Sequence, residues 1–194
     1  MSAASGVVIR RLRVADAERY REFRLTALRE TPSAFTSSHE EEREKPVAAT
    51  VRRLAEAERG PGALLGAFDV DGELVGTAGL RVPGRRQERH KATLFGMAVA
   101  RAAGGRGVGR ALVERSLERA AGDRELRQVL LTVSEGNDPA IRLYTSCGFE
   151  VWGREPQAVL VDGRAVTKLH MVRLLDAHQS RAAISPSTSA PGKS

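Results

Sequence analysis

At 194 residues the chain suits one domain with a full hydrophobic core, and its 41% hydrophobic content is ordinary for a soluble protein. No apolar run approaches the roughly eighteen residues of a membrane span, and the first residues lack the basic-then-apolar pattern of a secretory leader. A net charge of +7 and a pI near 10.4 invite a polyanionic partner, yet aromatics make up only 4% and leave few stacking platforms. Arginines also alternate with glutamates, as in Glu114-Arg115 and Glu118-Arg119, the pattern of a solvated helix face. Neither a membrane nor a nucleic-acid partner is therefore expected. The single cysteine, Cys147, permits no internal disulfide and fits a reducing, cytoplasmic setting, where it reads as a buried small hydrophobe.

In chain order, Val7 to Arg13 reads as a first strand. Asp16 is the expected N-cap of a helix reaching Arg29, with Tyr20, Phe23, Ala27 and Leu28 on its core face. Thr31-Pro32 stops that helix, because proline disfavours helical geometry in the residue before it. A charged stretch, His39 to Glu44, precedes a helix over about Pro46 to Arg59. Ala63–Phe68 and Leu74–Leu80 flank Asp71-Gly72 as a hairpin. A central strand starts near His90 and runs through Val99, and Gln128–Val133 reads as a strand buried on both faces. Asp138 is expected to cap the next helix, with Pro139 in its first turn and Gly148 at its end. Phe149–Trp152 and Thr167–Leu174 complete the strands, with a hairpin tip at 161–164. The fold expected is α+β: a mixed, mostly antiparallel sheet of about seven strands with helices on both sides. Residues 1–175 form the domain, and the Ser/Ala/Pro/Thr-rich stretch 176–194 reads as a disordered tail.

The chemistry concentrates after the central strand. Gly104-Gly105-Arg106-Gly107-Val108-Gly109-Arg110 leads from a strand into a helix, so backbone N–H groups without helical partners meet a glycine-rich approach. That is a candidate phosphate cradle, with the helix dipole adding partial positive charge; a glycine-rich connection that holds no ligand is the other reading. A P-loop would need Lys-Ser or Lys-Thr after the last glycine, where Arg110-Ala111 stands. The dinucleotide fingerprint needs a third glycine where Arg110 or Leu112 stands. Both readings fail.

Downstream runs Asn137-Asp138-Pro139-Ala140-Ile141-Arg142-Leu143-Tyr144-Thr145-Ser146-Cys147-Gly148-Phe149. Taken with Arg106 to Leu112, this resembles the GNAT superfamily of acyl-CoA-dependent N-acetyltransferases. That family carries Arg/Gln-x-x-Gly-x-Gly/Ala after a strand, then Asn-x-x-Ala-x-x-Leu-Tyr-x-x-x-Gly-Phe. The resemblance covers roughly 7–174. The chain departs at Gly104, where the family has Arg or Gln; Arg106 and Arg110 are the nearby charges.

The resemblance implies an enzyme that moves an acetyl group from acetyl-CoA to a primary amine on a small molecule or a protein. Met97, Ala98 and Val99 would bind pantetheine as an added strand. Gly104, Gly105, Arg106, Gly107, Val108, Gly109 and Arg110 would hold the pyrophosphate. Asn137 would hold pantetheine or the adjacent helix start. Tyr144 would be the acid that protonates the departing coenzyme A sulfur.

The base stays open among Glu135, His90, Glu41 and water, with His170 reading equally as a satisfied strand residue. Phe35, Glu41 and Glu135 are acceptor-side candidates. The Glu40–Glu42 run would attract a cationic amine or serve only as a solvated face. No metal is expected, and the chain is expected to be a monomer or a homodimer. A non-catalytic acyl-CoA-binding module is the alternative function.

Overall fold

The computed structural model describes residues 6–175; the expected tail, 176–194, lies outside the described residues. The strands are β1 (Val8–Arg11), β2 (Ala63–Phe68), β3 (Leu74–Arg81), β4 (Lys91–Val99), β5 (Gln128–Ser134), β6 (Glu150–Val161) and β7 (Arg164–Leu174). They form one seven-stranded sheet in the order β1-β2-β3-β4-β5-β7-β6. Every neighbouring pair is antiparallel except β4–β5. The helices are α1 (Ala17–Glu30), α2 (His39–Glu44), α3 (Val47–Arg59), α4 (Val108–Ala121) and α5 (Asp138–Ser146). The mixed, mostly antiparallel α+β architecture expected from the sequence is the one observed.

Strand periodicity sends alternate residues to opposite faces. On β2, Leu64 and Phe68 join Leu12, Tyr20 and Leu54 beneath α1 and α3, while Ala63, Leu65 and Ala67 join the larger core beneath α4. Both faces of β2 are covered, which is why all six of its residues are buried. Helix α4 contributes a helical stripe of Val108, Leu112, Val113, Leu117 and Ala120. Each fully buried leucine there is worth roughly 1.5–3 kcal/mol. Ser116, also on that stripe, has its hydroxyl bonded to the Leu112 carbonyl at 2.8 Å.

Several local readings change. Asp16 stands at the N-cap position of α1, as expected, but does not cap it with its own side chain. Its carboxylate instead takes a two-pronged ion pair from Arg10, at 2.7 and 2.8 Å, and the Arg13 N–H at 2.8 Å, tying β1 to the start of α1. Asn137 rather than Asp138 caps α5, its Oδ1 accepting from Ala140 N at 3.3 Å. The charged stretch at 39–44 is itself a helix, held by a capping box in which Ser38 and Glu41 bond each other's backbone N–H groups. The β6–β7 hairpin also extends far beyond Trp152, through two register shifts on β6.

One pairing positions the site. β4 and β5 are joined only through Lys91–Gln128, Ala92–Val129 and Thr93–Leu130. Beyond Thr93 they part, β4 following β3 to Val99 and β5 following β7 to Ser134. The sheet therefore opens into a wedge between its two central strands.

Candidate active site

The edge of β4 that faces the wedge has no strand beside it beyond Thr93, so its backbone polar groups are available to a ligand. A bulge interrupts β4 within this stretch. Gly96 takes φ +60°, and the β3 register slips between Thr77 and Gly79. The Gly96 carbonyl is satisfied by the Thr77 hydroxyl at 3.1 Å, which fixes the distortion from the neighbouring strand. Bulges of this kind re-aim the residues that follow, here Met97 and Ala98.

At the far end of β4 a 3-10 turn, Arg101–Ala103, leads into the glycine-rich segment and α4. Gly105 and Gly107 have φ of +73° and +79°, conformations that L side chains rarely adopt. The first helical bond of α4 runs from Ala111 N to Gly107 O at 3.0 Å. The N–H groups of Val108, Gly109 and Arg110 precede it without intrahelical partners, and the positive end of the α4 dipole lies among them. Backbone N–H groups arranged in this way can hold an anion.

Edge and cradle share one cavity of about 1100 Å³. Its lining includes all of residues 97–99, 104–105 and 107–110, together with Asn137 and Tyr144. Arg106 is exposed and lies outside the lining. Arg110 lines it, with its guanidinium bonded to the Ser146 hydroxyl at 2.7 Å. Asn137 combines its cavity position with the capping of α5.

Tyr144 is 6% exposed and packs edge-on against Phe149, with ring centroids 6.0 Å apart. Burial pushes its phenol up to about 12, with a smaller contribution from nearby Cys147. The hydroxyl therefore stays protonated throughout the physiological range. Cys147 is itself buried, and burial raises its thiol, as suits a small apolar residue rather than a nucleophile.

The acceptor-side candidates separate. Phe35 lines the cavity; Glu41 and Glu135 do not. Glu41 is the capping-box carboxylate of α2. Glu135 is exposed and pairs with Arg154 at 2.7 Å, an interaction that holds its carboxyl below the usual range. His90 lies outside the lining, at the opposite end of β4 from the wedge. His170 bonds Glu155 at 2.8 Å and packs edge-on against Trp152, so it is a satisfied strand residue.

Lys168 has no site role in the sequence reading, and Glu42, there one of the Glu40–Glu42 run, is neither a cavity-lining acid nor a solvated one. Glu42, 5% exposed, gathers Arg24, Lys45 and Arg53 within 3.0–3.1 Å. Burial alone would raise its carboxyl, but these cations override it and hold it below the usual carboxylate range. Lys168, 3% exposed, lines the cavity and donates to the Ser33 carbonyl at 2.7 Å and the Ser134 hydroxyl at 2.9 Å. Neither has a local motif. An acidic helix and an alternating strand look the same whether their charges are buried or solvated.

Among the described residues no helix is long and apolar enough to cross a membrane, and no group of side chains is arranged to hold a metal ion.

Comparison with known proteins accords with this geometry. An L-amino acid N-acetyltransferase from Escherichia coli K12 is 32% identical over 105 residues, 54% of this chain. The match spans 64% of that relative's length, just under two thirds. An acetyltransferase structure of the GNAT family from Streptococcus pneumoniae superposes with a TM-score of 0.79 at 22% identity, covering 87% of this chain and 99% of that one. A Salmonella typhimurium structure, solved with its cofactor acetyl-CoA, superposes at 0.76 and 22% identity over 95% of this chain and 99% of that one. The family model of the acetyltransferase (GNAT) family matches residues 24–149, well over half of the chain, and the protein belongs to that family.

Proposed function

We propose that the protein is an N-acetyltransferase that moves the acetyl group of acetyl-CoA to a primary amine by direct attack. The observation that carries this reading is the juxtaposition, in one cavity, of an open β4 edge and the N–H cradle at the start of α4. Membership of the family and the Salmonella structure with acetyl-CoA support the same cofactor.

Acetyl-CoA supplies an acyl group already activated as a thioester. The N–H groups from Gly105 to Arg110 would hold the pyrophosphate, a role for which Gly104, in place of Arg or Gln, offers no charge and Arg110 does. The β4 edge at Met97–Val99 would pair with the pantetheine amides like an added strand. An N–H near Met97 or Ala98 would polarise the thioester carbonyl. Tyr144 would stabilise the departing sulfur and return a proton to it, drawing a replacement from solvent.

No aspartate, glutamate or histidine among the described residues lines the cavity. The acceptor would therefore shed its proton to water before attack, with no dedicated side-chain base. Activity then rises with pH as the free-amine fraction of the acceptor rises. A reducing compartment, consistent with the lone buried thiol, is the proposed setting.

The experiment is release of free coenzyme A thiol from acetyl-CoA across an amine panel. Acceptor-dependent release supports the proposal. Saturable acetyl-CoA binding with no acceptor-dependent release from any amine supports the non-catalytic alternative instead.

A further inference from the structure

We infer that the acceptor is a small amine carrying a negative group close to its nitrogen, as an α-amino acid does, and that Lys168, Arg24 and Arg53 bind that group. The inference rests on the acetyl-transfer reading of the same cavity and specifies its substrate class.

The charge on the cavity wall is one-sided. Away from the α4 cradle it is lined by Arg24 from α1, Arg53 from α3, Arg81 from β3 and Lys168 from β7, and no acidic side chain among the described residues lines it. The one buried carboxylate nearby, Glu42, lies outside the lining. It is shared among Arg24, Arg53 and Lys45, so one negative charge meets three positive ones. Glu42 thus positions the two arginines and leaves net positive charge at the wall.

Arg24 is under-used by the protein. Its Nε is buried and, although 3.1 Å from Glu42, is not aligned to donate to it. Its other contacts to Ser37 and Glu42 are long, at 3.4 and 3.5 Å. Its guanidinium also lies beside the β4 bulge, with Nη1 4.0 Å from where a side chain on Gly96 would begin. That places a cation next to the strand segment assigned to the thioester.

Lys168 is the most telling of the set. An ammonium has three N–H donors, and two are used on neutral oxygens, Ser33 O and Ser134 Oγ. Among the described residues its partners are these two neutral oxygens and no carboxylate, and burial, which disfavours the charged form, lowers its pKa. Pinning the turn Pro32–Ala34 to the sheet needs only a neutral donor, so the charge is surplus to that task. An anion in the cavity would take the third N–H. A polyamine, by contrast, would bring positive charge against this wall and meet no acid.

The test compares matched probes after calorimetric titration with acetyl-CoA: L-phenylalanine against phenethylamine, L-alanine against L-alanine amide, and spermidine. The amino acids should show kcat/KM at least about 100-fold above their partners lacking the carboxylate, as expected when a site built to bond a group meets an analogue without it. Lys168→Met should collapse the phenylalanine-to-phenethylamine ratio by roughly 10-fold or more, chiefly through KM of the amino acid, since a hydrogen bond to a charged group is lost. A purely structural lysine would lower both substrates together and leave the ratio intact. Arg53→Gln, at a partly exposed position, makes the same test if Lys168→Met fails to fold. Equal or better use of phenethylamine, alanine amide or spermidine overturns the inference, as does acetyl-CoA binding with no turnover of either amino acid. Failure to bind acetyl-CoA brings down the parent reading instead.

Discussion

Replacing Tyr144 with phenylalanine removes one hydroxyl from the cavity wall and leaves the ring in place against Phe149. The hydroxyl has no hydrogen-bonding partner among the described residues, so its loss should shift folding stability by no more than about 0.5 kcal/mol. Its effect on catalysis follows from the phenol near 12. An ordinary alkyl thiol titrates at about 8.5, so full proton transfer from this phenol to a free thiolate runs uphill by about 5 kcal/mol. On the proposed reading Tyr144 would therefore act chiefly by hydrogen-bonding the sulfur as negative charge develops, with the proton following as solvent replaces it.

A hydrogen bond to a charged group is worth about 1.5–3 kcal/mol, which is roughly 10- to 150-fold in kcat. The expected result for Tyr144→Phe is a kcat loss in that range with acetyl-CoA affinity unchanged, read by thiol release and by calorimetry. An acetyl thioester of a more acidic thiol needs less help, so the gap between variant and native protein should narrow with it. A loss under about threefold, outside the range expected of a bond to a charged group, would refute the assignment. So would a loss confined to acetyl-CoA binding.

Three further outcomes follow from named contacts. Glu42 has a folded-state pKa held below the ordinary carboxylate value, so its contribution to stability is present above that value and is lost as pH falls through the depressed one. Native protein should accordingly lose stability below about pH 4.5, and Glu42→Gln should flatten that acid limb while costing roughly 1–3 kcal/mol at neutral pH, less than a fully buried network because Lys45 and Arg53 are partly exposed. Asn137→Ala should cost about 1 kcal/mol of stability through the lost α5 cap, measured by denaturant titration. Glu135→Gln and Glu41→Gln should leave kcat/KM within about twofold, because a solvated ion pair with Arg154 and a capping contact are all that is lost; a drop of ten-fold or more at either would restore it as a base.

The parts of this molecule that could be read from its sequence are those dictated by local chemistry. Gly105 and Gly107 lie in backbone conformations that glycine favours, and the strand before them and the helix after them make a cradle whatever the tertiary contacts. Strand alternation likewise separates the two faces of β2. Capping was less legible, because Asn137 and Asp138 are adjacent and equally capable, and only the backbone angle decides between them. Of the acceptor wall, only Phe35 was legible. Glu40, Glu41 and Glu42 are equivalent in composition, yet the rotation of about 100° from one helical residue to the next sends Glu42 inward to three cations and leaves Glu41 at the cap. Lys168 reads as one more alternating charge on β7. Its hydrogen-bond partner Ser33 is 135 residues away in the chain.

The central claim is that acetyl-CoA lies along the open edge of β4 with its pyrophosphate on the N–H groups that begin α4. The most direct test is calorimetric titration of the native protein and of Gly107→Glu with acetyl-CoA, alongside circular dichroism of both. A glutamate there must adopt φ +79° and would bring a negative charge to the cradle. The account predicts saturable one-to-one binding to the native chain and its loss in a variant that keeps its secondary structure. Binding that survives the substitution unchanged, or no binding to the native protein, would contradict it.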